Sequence, residues 1–424
     1  MPKFDNARVI PDMAPLYGDG IHDDTSAIQE RIDNAGCELA LPAPAVCYLI
    51  SRPLELPSKF KLSLPRYAEI RLAANSNCLM LTNKSVPRHT PLERKPNSLY
   101  PLDKLTEVGS TKYRLFGFVA ERSDTPEDAS HDIEVQGGIW NYNNMEQALN
   151  PLHWNTLNFQ PDESIPNNYG GVAMLFYNVT GLTLHDLTLK DTVTFALMLD
   201  QVSYFTVSDI TFDINMGNPY PWNTDGVHLD GKCAFGVIRN FKGACYDDLV
   251  ALNADEGSDG AIHDITIDGL YAEDCHSAVR LLTYNNPLER VHITNVHGTY
   301  FQYCIGLTGA AGDGYFDAIS IDHVFASKAE RYDRYGLNGN PILSDSYAFI
   351  HIFDGVEVRY LRLSELHRQE KTVPAPTFLI GKGATIRRLI LDGVTVENQV
   401  GGSIPLFENN GEIEQLQMQN VWNL

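Results

Sequence analysis

From residue 131 onward the sequence returns to one unit: a short run of alternating apolar and polar residues, then Asn, Asp or Gly, then a second short run. It reads LTLHDLTL at 182, FTVSDITF at 205, ITIDGLYA at 265, VHITNVHG at 291, ISIDHVFA at 319 and LILDGVTV at 389. Markers at the second apolar residue (Leu184, Val207, Ile238, Ile267, Ile293, Ile321, Leu363, Leu391, Met418) are separated by 23, 31, 29, 26, 28, 42, 28 and 27 residues. A period in the high twenties with strand and turn content predicts a solenoid. Leucine-rich repeats require a Leu and Asn spacing that is missing, and propeller blades are longer. The pattern predicts an all-β fold, a right-handed parallel β-helix. Each coil is three short strands, the inward residues stack on the coil above, and Asn, Asp or Gly takes the bend.

The open edge of such a helix must be covered. DDTSAIQERIDNAG, residues 23 to 36, predicts a capping helix with Asp24 or Thr25 at its start, an apolar stripe of Ala27, Ile28, Ile32 and Ala35, and Gly36 at its end. The expected organisation is a single β-helix domain over 1–424, with a cap region at 17–36, irregular first coils and loops at 37–130 and regular coils at 131–424. Segments 86–112 and 145–170, rich in Pro, Asn and charge, read as long loops between coils.

The formal charge of −22 argues against a nucleic-acid or anionic-membrane surface, since neither forms without a basic stripe. Seven scattered cysteines without a CxxC pair indicate buried thiols in place of a zinc site or a disulfide framework. No stretch has the apolar core of a secretory leader and none is long enough to span a bilayer. That places the protein in the cytoplasm, or outside the cell if a leader has been removed.

Two segments carry chemistry. WNTDGVHLD (222 to 230) contains Asp225, and CYDDLVALN (245 to 253) carries the adjacent pair Asp247 and Asp248. NTDG alone reads as a turn. Two adjacent carboxylates opening an apolar run one coil later make a poor structural turn. Hydrolysis of a glycosidic bond with inversion needs an acid for the leaving oxygen and carboxylates that activate water, roughly 6.5–9.5 Å apart. Neighbouring coils lie about 4.8 Å apart, so carboxylates on them approach that range. Crowding also raises at least one pKa, as a general acid near neutral pH requires.

These motifs, with TVTFALMLDQVSYFTVSDITF before them, resemble the polygalacturonases of glycoside hydrolase family 28. YGDGIHDDTSAIQ (17 to 29) is similar to the opening of many pectinase-like β-helix proteins. The likeness covers most of the chain at the level of fold, and the diagnostic motifs occupy about residues 192 to 285. By matched position the resemblance implies Asp247 as general acid and Asp225 with Asp248 as the pair that activates water. It places His276, in AEDCHSAVRLLT, at the family's histidine without the flanking glycines; a histidine that sets the acid's protonation and a satisfied buried histidine both fit. The family's basic element is missing from YCIGLTG (303 to 309). Arg280 supplies a cation from a neighbouring coil or serves as an ordinary ion-pair partner.

Asn223 and His228 flank Asp225 as expected substrate contacts, and Trp222, Tyr284, Tyr303, Trp154 and Tyr169 are aromatic candidates for stacking on sugar faces. Asp255 and Glu256 read as a solvated turn, with a calcium loop as the lesser alternative. The expected partner is an oligo- or polysaccharide and no cofactor is expected. The alternatives are a polysaccharide lyase, a fructan-cleaving or sugar-transferring enzyme, and a noncatalytic, tailspike-like carbohydrate-binding shaft.

Overall fold

The computed structural model describes residues 13–84, 129–150, 170–215, 223–309, 312–329, 332–337, 340–342 and 347–424. Strands of successive coils pair in parallel and join one 26-stranded sheet wrapped into a right-handed β-helix, the hand that parallel crossovers adopt. The predicted all-β class and coil architecture are both present.

One coil shows how the sequence builds the rest. The strand Ser277–Thr283 forms the first face; after a short turn the strand Leu288–Tyr300 forms the second and third, bending at Asn295. Asn295 has φ 57°, and the equivalent residue of every neighbouring coil is also left-handed: Asp186, Asp209, Asn240, Gly269, His323, Glu365, Gly393 and Asn420. Asn, Asp and Gly tolerate that conformation at least cost, which is why the repeat is punctuated by them. His323 and Glu365 occupy the same bend without that advantage.

In-register pairing turns the sequence repeat into columns of core residues. On the second face Val207, Ile238, Ile267, Ile293, Ile321, Leu363 and Leu391 stack in successive coils and are buried. These are the markers of the sequence period. Phe241, Leu270, Val296, Val324, Leu366 and Val394 do the same on the third face. On the first, Val250, Val279, Ile305, Ile350 and Phe378 point inward, so the residues between them, Ala251, Arg280, Gly306, His351 and Leu379, point outward.

The predicted helix spans Thr25–Asn34 and buries Ala27, Ile28 and Ile32 against the first coils; Gly36 follows it at φ 77°. Asp24 takes the N-cap position, yet its carboxylate turns back to accept the Tyr17 and Gly18 amides at 2.6 and 3.1 Å. Asp23 accepts the Thr25 amide at 2.8 Å in its stead. All seven cysteines are free thiols, five of them buried, Cys37 exposed and Cys78 between. No helix among the described residues is long and apolar enough to cross a membrane.

The left-handed bend supplies a test of this account. Gly269→Ala should lower stability by about 1–2 kcal/mol, since a Cβ at φ 82° is strained, and Gly269→Asn should cost less. Urea unfolding measures both, and an unchanged midpoint for Gly269→Ala would contradict the role given to the bend.

Candidate active site

Asp225 ends the turn that enters the strand Val227–Leu229, and Asp248 opens the strand Asp248–Asn253 of the next coil. Val227 pairs with Val250, which sets Asp225 opposite Asp248, and the Gly226 amide donates to the Asp248 carbonyl at 3.0 Å. Gly226 is required there: a Cβ would press on the Leu249 carbonyl and the Phe212 ring. One further coil along, Ser277 pairs with Asp248, so His276 lies beside Asp247.

The three carboxylates each place an oxygen within 4.8 Å of the other two. This spacing is between nearest carboxylate oxygens, and it follows from register: Asp225 and Asp248 stand directly opposite at one strand spacing and Asp247 adjoins Asp248. A water between the buried carboxylates of Asp225 and Asp248 lies within hydrogen-bond reach of both. Asp225 and Asp248 are buried, whereas the Asp247 side chain is 15% exposed and is the member of the trio that reaches the surface. Asp225 Oδ1 is buried without a hydrogen-bond partner among the described residues.

Burial, with the neighbouring Asp247 charge, pushes Asp225 up to about 6 against the pull of His228. Burial and Asp247 likewise drive Asp248 well above the usual carboxylate range, opposed by Arg280. The trio therefore retains a proton at pH values where isolated carboxyls have lost theirs.

Basic side chains and a hydroxyl approach from the following coils. His276 Nδ1 is 3.4 Å from Asp247 Oδ1. Arg280, outward between Ala251 and Gly306, brings Nη1 to 3.7 Å from Asp248 Oδ2 and donates from Nε to Thr308 Oγ1 at 3.2 Å. Burial opposes its charge, but Asp248 and the acids around it hold the guanidinium firmly protonated. Tyr303 donates its hydroxyl to Asp248 Oδ1 at 3.4 Å. Its ring lies where Gly306 has no side chain, since a Cβ there would sit 2.6 Å from the ring. Tyr303, a stacking candidate in the sequence, is buried and serves Asp248.

The other expected contacts divide. Asn223 takes a left-handed turn conformation at φ 54°, two residues before Asp225. Tyr284 follows the Arg280 strand, half-buried, with its amide bound by Asp255. Trp222, Trp154 and Tyr169 lie outside the described residues, as do 86–112 and 151–169 of the two long loops. His228 was expected to touch a sugar, and the structure seats it beneath Asp225 instead. It is 2% exposed, its Nδ1 is 2.7 Å from Asp225 Oδ2, and the Phe195 ring stacks on it at 4.0 Å between centroids.

The sequence reading of Asp255 and Glu256 as a solvated turn is corrected. Asp255 is buried and clamps the next coil's turn, accepting the Tyr284 and Asn285 amides and, at 2.7 Å, Asn286 Nδ2. Glu256 Oε2 is 3.0 Å from His228 Nε2 and accepts Asn253 Nδ2 at 2.9 Å. His228, Asp230 and Glu256 form a second cluster whose nitrogen and oxygen atoms lie within 4.8 Å of one another. Hydrogen bonds already join its members. A groove of about 830 Å³, lined by Tyr271, His297, Phe325 and His367 among others, lies on the third face and contains none of these residues.

Asp255→Ala should cost about 1–3 kcal/mol, because the turn at 284–286 loses the charged acceptor of several hydrogen bonds. Urea unfolding of that variant would contradict the clamp if the loss stayed under about 0.5 kcal/mol.

No family model matches the chain, and no curated protein matches it. Solved structures do. The endo-xylogalacturonan hydrolase from Aspergillus tubingensis is 11% identical, with 94% of this chain and 98% of that one covered at a TM-score of 0.55. PfbA, a surface adhesin of Streptococcus pneumoniae, is 14% identical, with 96% and 88% covered at 0.54. The polygalacturonase from Erwinia carotovora ssp. carotovora is 13% identical, with 95% and 94% covered at 0.50. What is shared at such identities is the fold, a right-handed parallel β-helix.

Proposed function

We propose that this protein is a glycoside hydrolase that cleaves a glycosidic bond of a pectic or related oligo- or polysaccharide with inversion. The observation that carries the proposal is the convergence of Asp225, Asp247 and Asp248 within 4.8 Å across two coils. The hydrolases of matching fold, one a xylogalacturonan hydrolase and one a polygalacturonase, support the substrate class.

Asp247, the accessible member, donates its proton to the leaving glycosidic oxygen as the bond to the anomeric carbon breaks. A water held by Asp225 and Asp248 attacks that carbon from the opposite face and gives up a proton to the pair. The new hydroxyl then has the inverted configuration, and the acid is restored through exchange within the trio. Arg280 beside Asp248 balances the charge that moves between them, and His276 lies 3.4 Å from Asp247.

A second reading is a noncatalytic glycan-binding β-helix, favoured by the adhesin of the same fold and by the groove on the third face. A lyase is disfavoured, because Arg280, the cation beside the trio, is engaged with Asp248 and Thr308 and is held protonated.

Incubation with pectic and neutral polysaccharides, following reducing ends and the unsaturated-uronide absorbance, separates these outcomes. New reducing ends without absorbance are expected, Asp247→Asn should lower kcat by about 10²–10⁴-fold, and proton NMR of the first product should show the inverted anomer. Absorbance would identify elimination; binding without turnover would identify the noncatalytic shaft; retention would make one carboxylate a nucleophile. Because Asp225 must be ionised to act as base and titrates near 6, kcat/KM should fall as pH drops below about 6. A profile flat to pH 4 would remove Asp225 from that role.

A further inference from the structure

The ring of His228 is buried, 2% exposed, yet it adjoins the proposed base. Its Nδ1 is 2.7 Å from Asp225 Oδ2, a length typical of charge-assisted bonds. Its Nε2 is 3.0 Å from Glu256 Oε2 and 3.2 Å from Asp230 Oδ1. Ionised carboxylates only accept hydrogen bonds, so an imidazole with carboxylates at both nitrogens has to carry protons on both. A neutral ring would set a lone pair against an anion.

We propose that His228 is a positioning residue, a buried imidazolium that ties Asp225 to Asp230 and Glu256, keeps Asp225 ionised and holds its Oδ2 so that Oδ1 remains for the water.

The surroundings fit a permanent cation. The Phe195 face covers the ring at 4.0 Å and 13°, where an aromatic quadrupole attracts positive charge. Met198 and Ala251 flank it in register and are buried, so water does not screen it. The charged groups facing it are Asp225 from the turn before its strand, Asp230 just after the strand and Glu256 from the next coil; Asn253 Nδ2, 3.4 Å from Nε2, gives its hydrogen bond to Glu256 Oε2 at 2.9 Å. Asp200, one coil earlier, stands behind Asp230: a side chain at Gly257 would collide with both carboxylates. Arg280 is the nearby guanidinium, and its charge reaches Asp225 and Glu256. Burial alone would neutralise Asp225, and the pair with His228 offsets that cost where removal of either partner leaves an uncompensated charge.

The catalytic consequence rests on the hydrolase proposal, and the test is chosen to stand apart from it. Nitrogen-15 NMR of the full chain reads the His228 ring, and carbon-13 carboxyl NMR reads Asp225. Protons on both ring nitrogens through neutral pH are expected, and in His228→Gln the Asp225 midpoint should rise by about one pH unit or more. The acidic limb of kcat/KM should move up equally while KM stays within about twofold, a signature that mere loosening of the fold would not give. A ring with one proton at pH 7, or an unmoved Asp225 midpoint, overturns the proposal. The wild-type nitrogen spectrum decides the first point even if His228→Gln fails to fold. If the chain hydrolyses nothing, the spectra still decide the role of His228, and only the hydrolase proposal falls.

Discussion

In-register parallel pairing between successive coils is the constraint on which the rest of the structure depends. It brings residues more than twenty apart in sequence to one strand spacing, and it does so identically at every level of the stack. Inward columns become the core. Outward columns become the site: Met198, His228, Ala251, Arg280 and Gly306 follow one another along the first face. A slip of one residue in any of these pairs would exchange the two sets. The Asp trio is a by-product of the register that buries Val227, Val250 and Val279.

The electrostatics follow from the same stacking. Carboxylates set at strand spacing and withdrawn from water cannot all remain ionised. The chain meets this in two ways. Asp225 and Asp248 are pushed up, so the trio keeps a proton at pH values where isolated carboxyls have lost theirs. Basic side chains then arrive from other positions of the stack, His228 within the strand that follows Asp225, and His276 and Arg280 one coil beyond the Asp pair. Gly306 completes the arrangement by omission, admitting the Tyr303 ring that reaches Asp248.

Much of the fold was legible in the sequence, because a solenoid's core and bends recur at fixed intervals and the residues that tolerate a left-handed bend are few. Asp186, Asn240 and Gly393 announce the corner; His323 and Glu365 sit at the same corner unannounced. The Asp pair stood out because adjacent like charges are a costly choice for a turn. What could not be read were the partners made by register. Glu256 and Asp230 close on His228, and Asp255 clamps residues thirty positions away, through contacts between coils that appear in no local pattern. The spacing of VHLD, with His228 three residues after Asp225 and Asp230 two further, was the one available signal for the buried network.

The most direct measurement of the central claim is a crystal structure of the full chain carrying Asp247→Asn with a bound pectic oligosaccharide. The account predicts the scissile glycosidic oxygen within about 3.2 Å of the residue 247 side chain, and a water bridging Asp225 and Asp248 on the opposite side of the anomeric carbon. A sugar chain seated away from all three positions, for instance in the groove of the third face, would contradict it.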